Sequence, residues 1–130
     1  VRSVFSDFYP SCKVKAFGKT RDGGKDGLLI DNSGKQSLIQ IKRRTKANAT
    51  EGVEALRALI GTTVIEDNVR GCIFVSTADH FSKPAKEYAN NVINKNIVDT
   101  FYLIDCKEFL RMTDLVRDKL PDVWTKLLKL

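Results

Sequence analysis

The sequence predicts an α/β domain with a mixed central β-sheet flanked by helices. Three observations lead there. Two apolar runs, 27–31 and 37–43, are joined by Asn32-Ser33-Gly34-Lys35, residues that accept the backbone of a tight reversal. The short run Cys72-Ile73-Phe74-Val75 reads as a strand buried on both faces. Segments of helical period alternate with strand-like runs downstream, the pattern of a crossover connection.

Taken in order, residues 1–11 read as the tail of a helix or a loop ending near Pro10, with Val4, Phe5, Phe8 and Tyr9 at helical spacing. Residues 12–17 alternate apolar and basic, which predicts an edge strand. The loop 18–25 is rich in glycine and charge, and the hairpin 27–43 follows it. Its second run places Leu38, Gln40 and Lys42 on one face and Ile39, Ile41 and Arg43 on the other, because strand side chains repeat every two residues. Asn48 stands three before Glu51, a capping-box spacing. Val53, Leu56, Leu59 and Ile60 then have helical period, with Gly61 as the expected stop.

Gly71 opens the buried strand, which runs to Thr77. Ser82 with Pro84 starts a second helix, to about residue 93, with Ala85, Tyr88, Ala89, Val92 and Ile93 inward. Ile97 to Ile104 predicts another strand. Lys107 to Met112 begins a short helix, and the tail to Leu130 reads helical around Leu115, Leu120, Trp124, Leu127 and Leu128, divided at Pro121.

At 130 residues the chain suits one domain, 1–130, with 18–112 as its core and 113–130 as a helical tail. Its first residue is Val, which suggests a piece of a longer protein whose flanking domains are missing partners. No run approaches the roughly 20 apolar residues of a membrane span, and no secretory signal is visible. Cys12, Cys72 and Cys106 are odd in number and far apart, without zinc spacing. Cys72 and Cys106 read as small core residues, and a reducing cytoplasm is the expected location. The net charge of +6 favours a polyanionic partner such as nucleic acid.

The chemistry concentrates at one corner. Gln40 and Lys42 emerge side by side, and Asp26 stands at the mouth of the first hairpin strand. Phosphodiester hydrolysis needs charge neutralised on the phosphate and a water made nucleophilic, and Mg2+ held by carboxylates, carbonyls and waters does both. Asp26, the side-chain oxygen of Gln40 and the backbone carbonyl of Ile41 are the candidate ligands. Lys42 would orient the water and stabilise charge on the phosphate, staying protonated beside Asp26. Lys25, Lys35, Arg43, Arg44 and Lys46 are candidates for a phosphate-binding face. Arg57 on the first helix is expected to pair with Glu54. His80 has no second His or Cys nearby, so a loop or helix-entry role is expected of it.

These residues carry a resemblance. Gly23-Gly24-Lys25-Asp26-Gly27, then about a dozen residues, then Gln40-Ile41-Lys42, resembles the restriction-endonuclease-like superfamily, specifically its Mrr-type branch. There Gln replaces the usual Asp or Glu ahead of the Lys. Arg57-Ala58-Leu59-Ile60-Gly61, Gly71 to Thr77, Phe81-Ser82 leading to Ala85 and Ala89, and Leu103-Ile104-Asp105 follow in the order such domains show. The resemblance covers residues 18 to about 112. It implies a restriction-endonuclease-like core and cleavage of duplex DNA dependent on Mg2+ or Mn2+, in restriction or defence. Asp26, Gln40 and Lys42 would be the active-site residues, and pairing of subunits into a homodimer is the associated expectation.

Two departures stand beside it. Family members often supply a further acid, commonly Glu, from a helix before the hairpin. No Glu precedes Glu51 here; either Asp7 or the loop residue Asp22 would substitute, or the helix has been cut away. Gln40 is neutral, so the site holds one negative charge fewer than an Asp or Glu version. The alternatives are a non-catalytic nucleic-acid-binding or assembly module of the same fold, and an RNA- or junction-cutting relative.

Overall fold

A computed structural model describes residues 12–16, 27–46 and 48–117. Asp31 starts the reversal that organises the sheet. Its Oδ1 accepts from the backbone N–H of Ser33 at 2.9 Å and of Lys35 at 3.0 Å, and from Ser33 Oγ at 2.7 Å. The Ser33 hydroxyl is the main cause that holds the Asp31 carboxyl below its usual range. Gly34 takes φ +85°, a left-handed value that a side chain would strain. The turn joins β2 (Gly27–Ile30) to β3 (Gln36–Lys42), antiparallel with Gly27 opposite Ile39 and Ile30 opposite Gln36. β1 (Lys13–Ala16) pairs with β2 and forms one edge of the described sheet, with Lys13 and Lys15 exposed as the alternation requires.

After β3 come β4 (Thr50–Glu51), α1 (Val53–Thr63), β5 (Val69–Ser76), β6 (His80–Phe81), α2 (Lys83–Asn94), β7 (Thr100–Ile104) and α3 (Cys106–Arg117). The main sheet has the order β1-β2-β3-β5-β7, with β3, β5 and β7 parallel. β4 and β6 form a separate two-stranded parallel ladder. The fold is thus a mixed sheet flanked by helices, in agreement with the sequence.

β5 lies between two parallel neighbours, and its residues from Gly71 to Ser76 are all buried. Gly71 permits that close approach: a Cβ there would lie 2.3 Å from Ser37 Oγ and 2.6 Å from Thr100 Oγ1. One face of the sheet packs Leu38, Cys72, Phe74 and Phe101 under Leu56 and Leu59 of α1 and Ala85, Ala89 and Val92 of α2. The other face packs Ile39, Ile73, Val75 and Ile104 against Met112 and Phe109 of α3. Among the described residues no helix is long and apolar enough to cross a membrane.

The Ser82 and Pro84 signal holds. Ser82 Oγ accepts from the Ala85 N–H at 3.2 Å and opens α2. Removing that acceptor with Ser82→Ala is expected to lower stability by about 1 kcal/mol, read as a shift of the urea midpoint with unchanged slope.

Four expectations change. Asn48 and Glu51 make no capping box: Asn48 is left-handed at φ 56°, Glu51 lies in β4, and the Gly52 N-cap has no side-chain bond. The Glu51 carboxylate is instead taken by Arg44 and Ser76. α1 runs through Gly61 to Thr63, where the buried hydroxyl donates to Leu59 O at 2.8 Å. β7 begins at Thr100 rather than Ile97, because Arg70 draws in the backbone ahead of it. The Arg70 guanidinium donates to Asn96 O at 2.9 Å, Ile97 O at 3.1 Å and Asp99 Oδ1 at 3.0 Å. Cys106 is half-buried at the start of α3, whereas Cys72 is fully buried, its thiol pushed up to about 11 by desolvation. The readings of residues 1–11, of the loop 18–25 and of the tail from residue 118 lie outside the described residues.

Candidate active site

Two facts about β3 build the site. The described pairing with β2 ends at Gly27 opposite Ile39, while pairing with β5 continues to Lys42 opposite Ser76. The last residues of β3, Gln40 to Lys42, are held by β5. The period of two then sorts their side chains. Leu38 enters the core under α1 and α2, and Gln40 and Lys42 follow on that face, while Ile39 and Ile41 pack toward α3.

Gln40 and Lys42 open into a groove of about 580 Å3 between β3 and α1. The α1 wall presents Ala55, Ala58 and Gly61, and these short side chains leave the space unfilled. Gln40 is only 5% exposed. Its Nε2 donates to the Ile41 carbonyl at 3.1 Å, so two of the candidate polar groups are already in contact. Lys42 is half-buried on the groove floor.

Arg44 lines the same groove, outside β3. Its Nε donates to Glu51 Oε1 at 2.9 Å, and its Nη2 bonds Glu51 Oε2. This hydrogen-bonded pairing raises the Arg44 pKa still further. Ser76 Oγ, opposite Lys42 in the sheet, donates to Glu51 Oε1 at 2.7 Å. Arg57 pairs with Glu54 at 3.0 Å as the helix spacing predicts, and its guanidinium also sits 5.8 Å from the Tyr88 ring centre.

Of the residues singled out in the sequence, Gln40, the Ile41 carbonyl, Lys42 and Arg44 come together. Arg43 and Lys46 are exposed in the segment just after β3. Asp26 and Lys25 lie outside the described residues, as do Asp7 and Asp22. Lys35 belongs to the opposite end of β3, roughly 23 Å from Lys42 at strand rise, and there it meets Asp99 at 3.6 Å. His80 bonds Thr50 Oγ1 at 3.0 Å and Asp79 Oδ2 at 3.3 Å; it sits in β6 rather than in a loop. Among the described residues no three His, Cys, Asp or Glu side chains cluster as a metal site.

The sequence reading missed Glu51, Ser76 and Thr77. Glu51 shows itself only through tertiary pairing, since its spacing from Asn48 imitates a helix cap.

The family model Mrr_cat, described as restriction endonuclease, matches residues 5–113. Among solved structures, the crystal structure of a repair endonuclease from Pyrococcus abyssi is similar at 20% identity and a TM-score of 0.46. That likeness covers 73% of this chain and 39% of the other, so the chain corresponds to about two fifths of that protein's length. No curated protein matches.

Proposed function

We propose, from the premise that the chain belongs to the restriction endonuclease family whose model spans residues 5–113, that it cuts duplex DNA by hydrolysis dependent on Mg2+ or Mn2+, in restriction or defence. One observation carries the reading: Gln40 and Lys42 share the β3 face that opens into the groove.

Asp26, Gln40 and the Ile41 carbonyl would hold the metal ion. Asp26 directly precedes Gly27, whose partner Ile39 directly precedes Gln40. The Gln40 amide and the Ile41 carbonyl fit an oxygen-donor pair. The Gln40 amide already lies 3.1 Å from Ile41 O, and turning it over would bring Oε1 beside that carbonyl, two neutral oxygens of the kind Mg2+ takes. When bound, the ion polarises a phosphoryl oxygen and makes a coordinated water more acidic.

The Lys42 ammonium neutralises charge developing on the phosphate and orients the attacking water. Lys25, Arg43, Arg44 and Lys46 bind backbone phosphates on either side. A homodimer would bring two such sites to the two strands of a duplex. Free cysteines at 12, 72 and 106 suit a reducing cytoplasm.

Supercoiled plasmid incubated with the protein should be nicked or linearised in Mg2+ or Mn2+ and stay intact in EDTA. Calorimetric titration should find a Mn2+ site that Asp26→Ala removes. Intact plasmid in every metal, with DNA binding indifferent to metal and to Asp26→Ala, would sink the enzyme and leave the binding module.

A further inference from the structure

We propose that Glu51 is a positioning residue that holds Arg44 as a preformed grip for a DNA phosphate in the groove beside Lys42. The inference rests on the endonuclease reading and adds to it a residue which that reading does not use. The pair is lopsided: the Glu51 side chain is 3% exposed and that of Arg44 is 40% exposed. Burying a carboxylate is costly, and an ion pair offsets the cost only when geometry and further hydrogen bonds are good. Here they are good. Glu51 Oε1 accepts from Arg44 Nε at 2.9 Å and Ser76 Oγ at 2.7 Å, and Oε2 takes Arg44 Nη2. Such pairs are poor devices for stability alone, but they fix the direction of the cation they hold.

The backbone of Arg44 is fixed as well. Thr77 Oγ1 accepts from the Arg44 N–H at 2.6 Å and donates to Arg44 O at 3.2 Å. The Thr77 N–H donates to Lys42 O at 3.0 Å, so the same residue ties Arg44 to the strand end that carries Lys42. Glu51 is anchored in turn, its carbonyl accepting from the Ser82 N–H at 2.9 Å at the head of α2. A guanidinium has five N–H donors in a rigid fork, and the edge bonded to Glu51 leaves the outer edge for a phosphate. Side chain and backbone of an exposed arginine are thus set before DNA arrives, which removes the ordering cost of a flexible contact.

The sign of one measurement separates positioning from bulk charge. As a mere negative charge Glu51 repels DNA, so Glu51→Gln would tighten binding. As a positioning residue it makes Glu51→Gln weaken binding although the protein gains positive charge. Duplex affinity is read by fluorescence anisotropy in EDTA, where no cutting interferes, on the full chain with melting checked for each variant. Glu51→Gln is expected to weaken binding about tenfold, the scale of one charge-assisted hydrogen bond. The slope of log affinity against log salt should shrink by about 0.9, one phosphate contact. In Mg2+ the loss should fall on KM more than on kcat.

Arg44→Lys keeps the charge but not the fork, and it should weaken binding in the same way. It decides the matter if Glu51→Gln does not fold. Folded variants that bind as tightly as wild type, or more tightly, overturn the proposal. A wild type that binds duplex with this dependence but never cuts it upholds the grip and sinks only the endonuclease reading; a wild type that does not bind DNA overturns both.

Discussion

Lys42→Ala is expected to lower kcat on supercoiled plasmid by about 10²–10³-fold, the largest functional loss from any single side chain among the described residues. The cause is its position: among the described residues Lys42 is the one lysine that lines the groove. Lys42 ends β3 on the Gln40 face, half-buried, with its ammonium directed into the groove that α1 leaves open. Arg44, the next cation along that wall, is held in its own place by Glu51 and does not swing into that of the Lys42 ammonium. The fold should survive the change. What Lys42 gives the scaffold is its backbone, pairing with Ser76 and accepting from the Thr77 N–H at 3.0 Å, and alanine keeps both. The melting midpoint should therefore stay within the range of an ordinary surface substitution, about 0.5 kcal/mol. Lys42→Arg is not expected to rescue, because a planar fork of five donors does not present its charge as a compact ammonium does. Single-turnover cleavage with protein in excess isolates the chemical step. Equal cleavage by wild type and Lys42→Ala would remove Lys42 from the mechanism.

The parts of the fold that the sequence disclosed are those in which local chemistry and tertiary demand agree. The reversal at Asp31 to Lys35 needs only its own residues: a carboxylate that accepts from the next turn, and a glycine free to go left-handed. The burial of β5 follows from an unbroken apolar run, and α2 announces itself with Ser82 and Pro84. The alternation 38–42 survives because the two faces of the sheet meet different layers. What stayed hidden depends on partners distant in the chain. β4 and β6 are two residues each, too short for any period to show. Glu51 is seven residues from Arg44 and 25 from Ser76, and only the packed fold brings the three together. Ile97 and Val98 are apolar but do not extend β7, since the Arg70 guanidinium claims the backbone there. That Gln40 and Lys42 share a face was legible because their spacing is set by the strand itself, whereas the Arg44–Glu51 pair was not, because nothing local encodes it.

Phe74→Ala is expected to cost about 3–5 kcal/mol of stability, against a total of about 5–15 kcal/mol for a domain of this kind. Phe74 is fully buried at the centre of β5, between β3 and β7, where neighbouring backbones cannot collapse into the space it leaves. Its ring meets Phe81 edge-on, with centroids 5.9 Å apart and planes at 77°. Urea denaturation should show a lower midpoint at nearly unchanged slope, and Phe74→Leu should lose less because it refills most of the volume. The position also bears on function. Phe74 sits opposite Gln40 in the sheet, and Phe81 sits opposite Glu51 in the small ladder. The aromatic pair therefore braces both the strand that presents Gln40 and the strand that holds the Arg44 grip. At urea-free conditions where Phe74→Ala is still folded, duplex affinity should fall along with stability, and Phe74→Leu should keep more of both. A folded Phe74→Ala protein with wild-type DNA affinity would show that groove and grip are set without that brace.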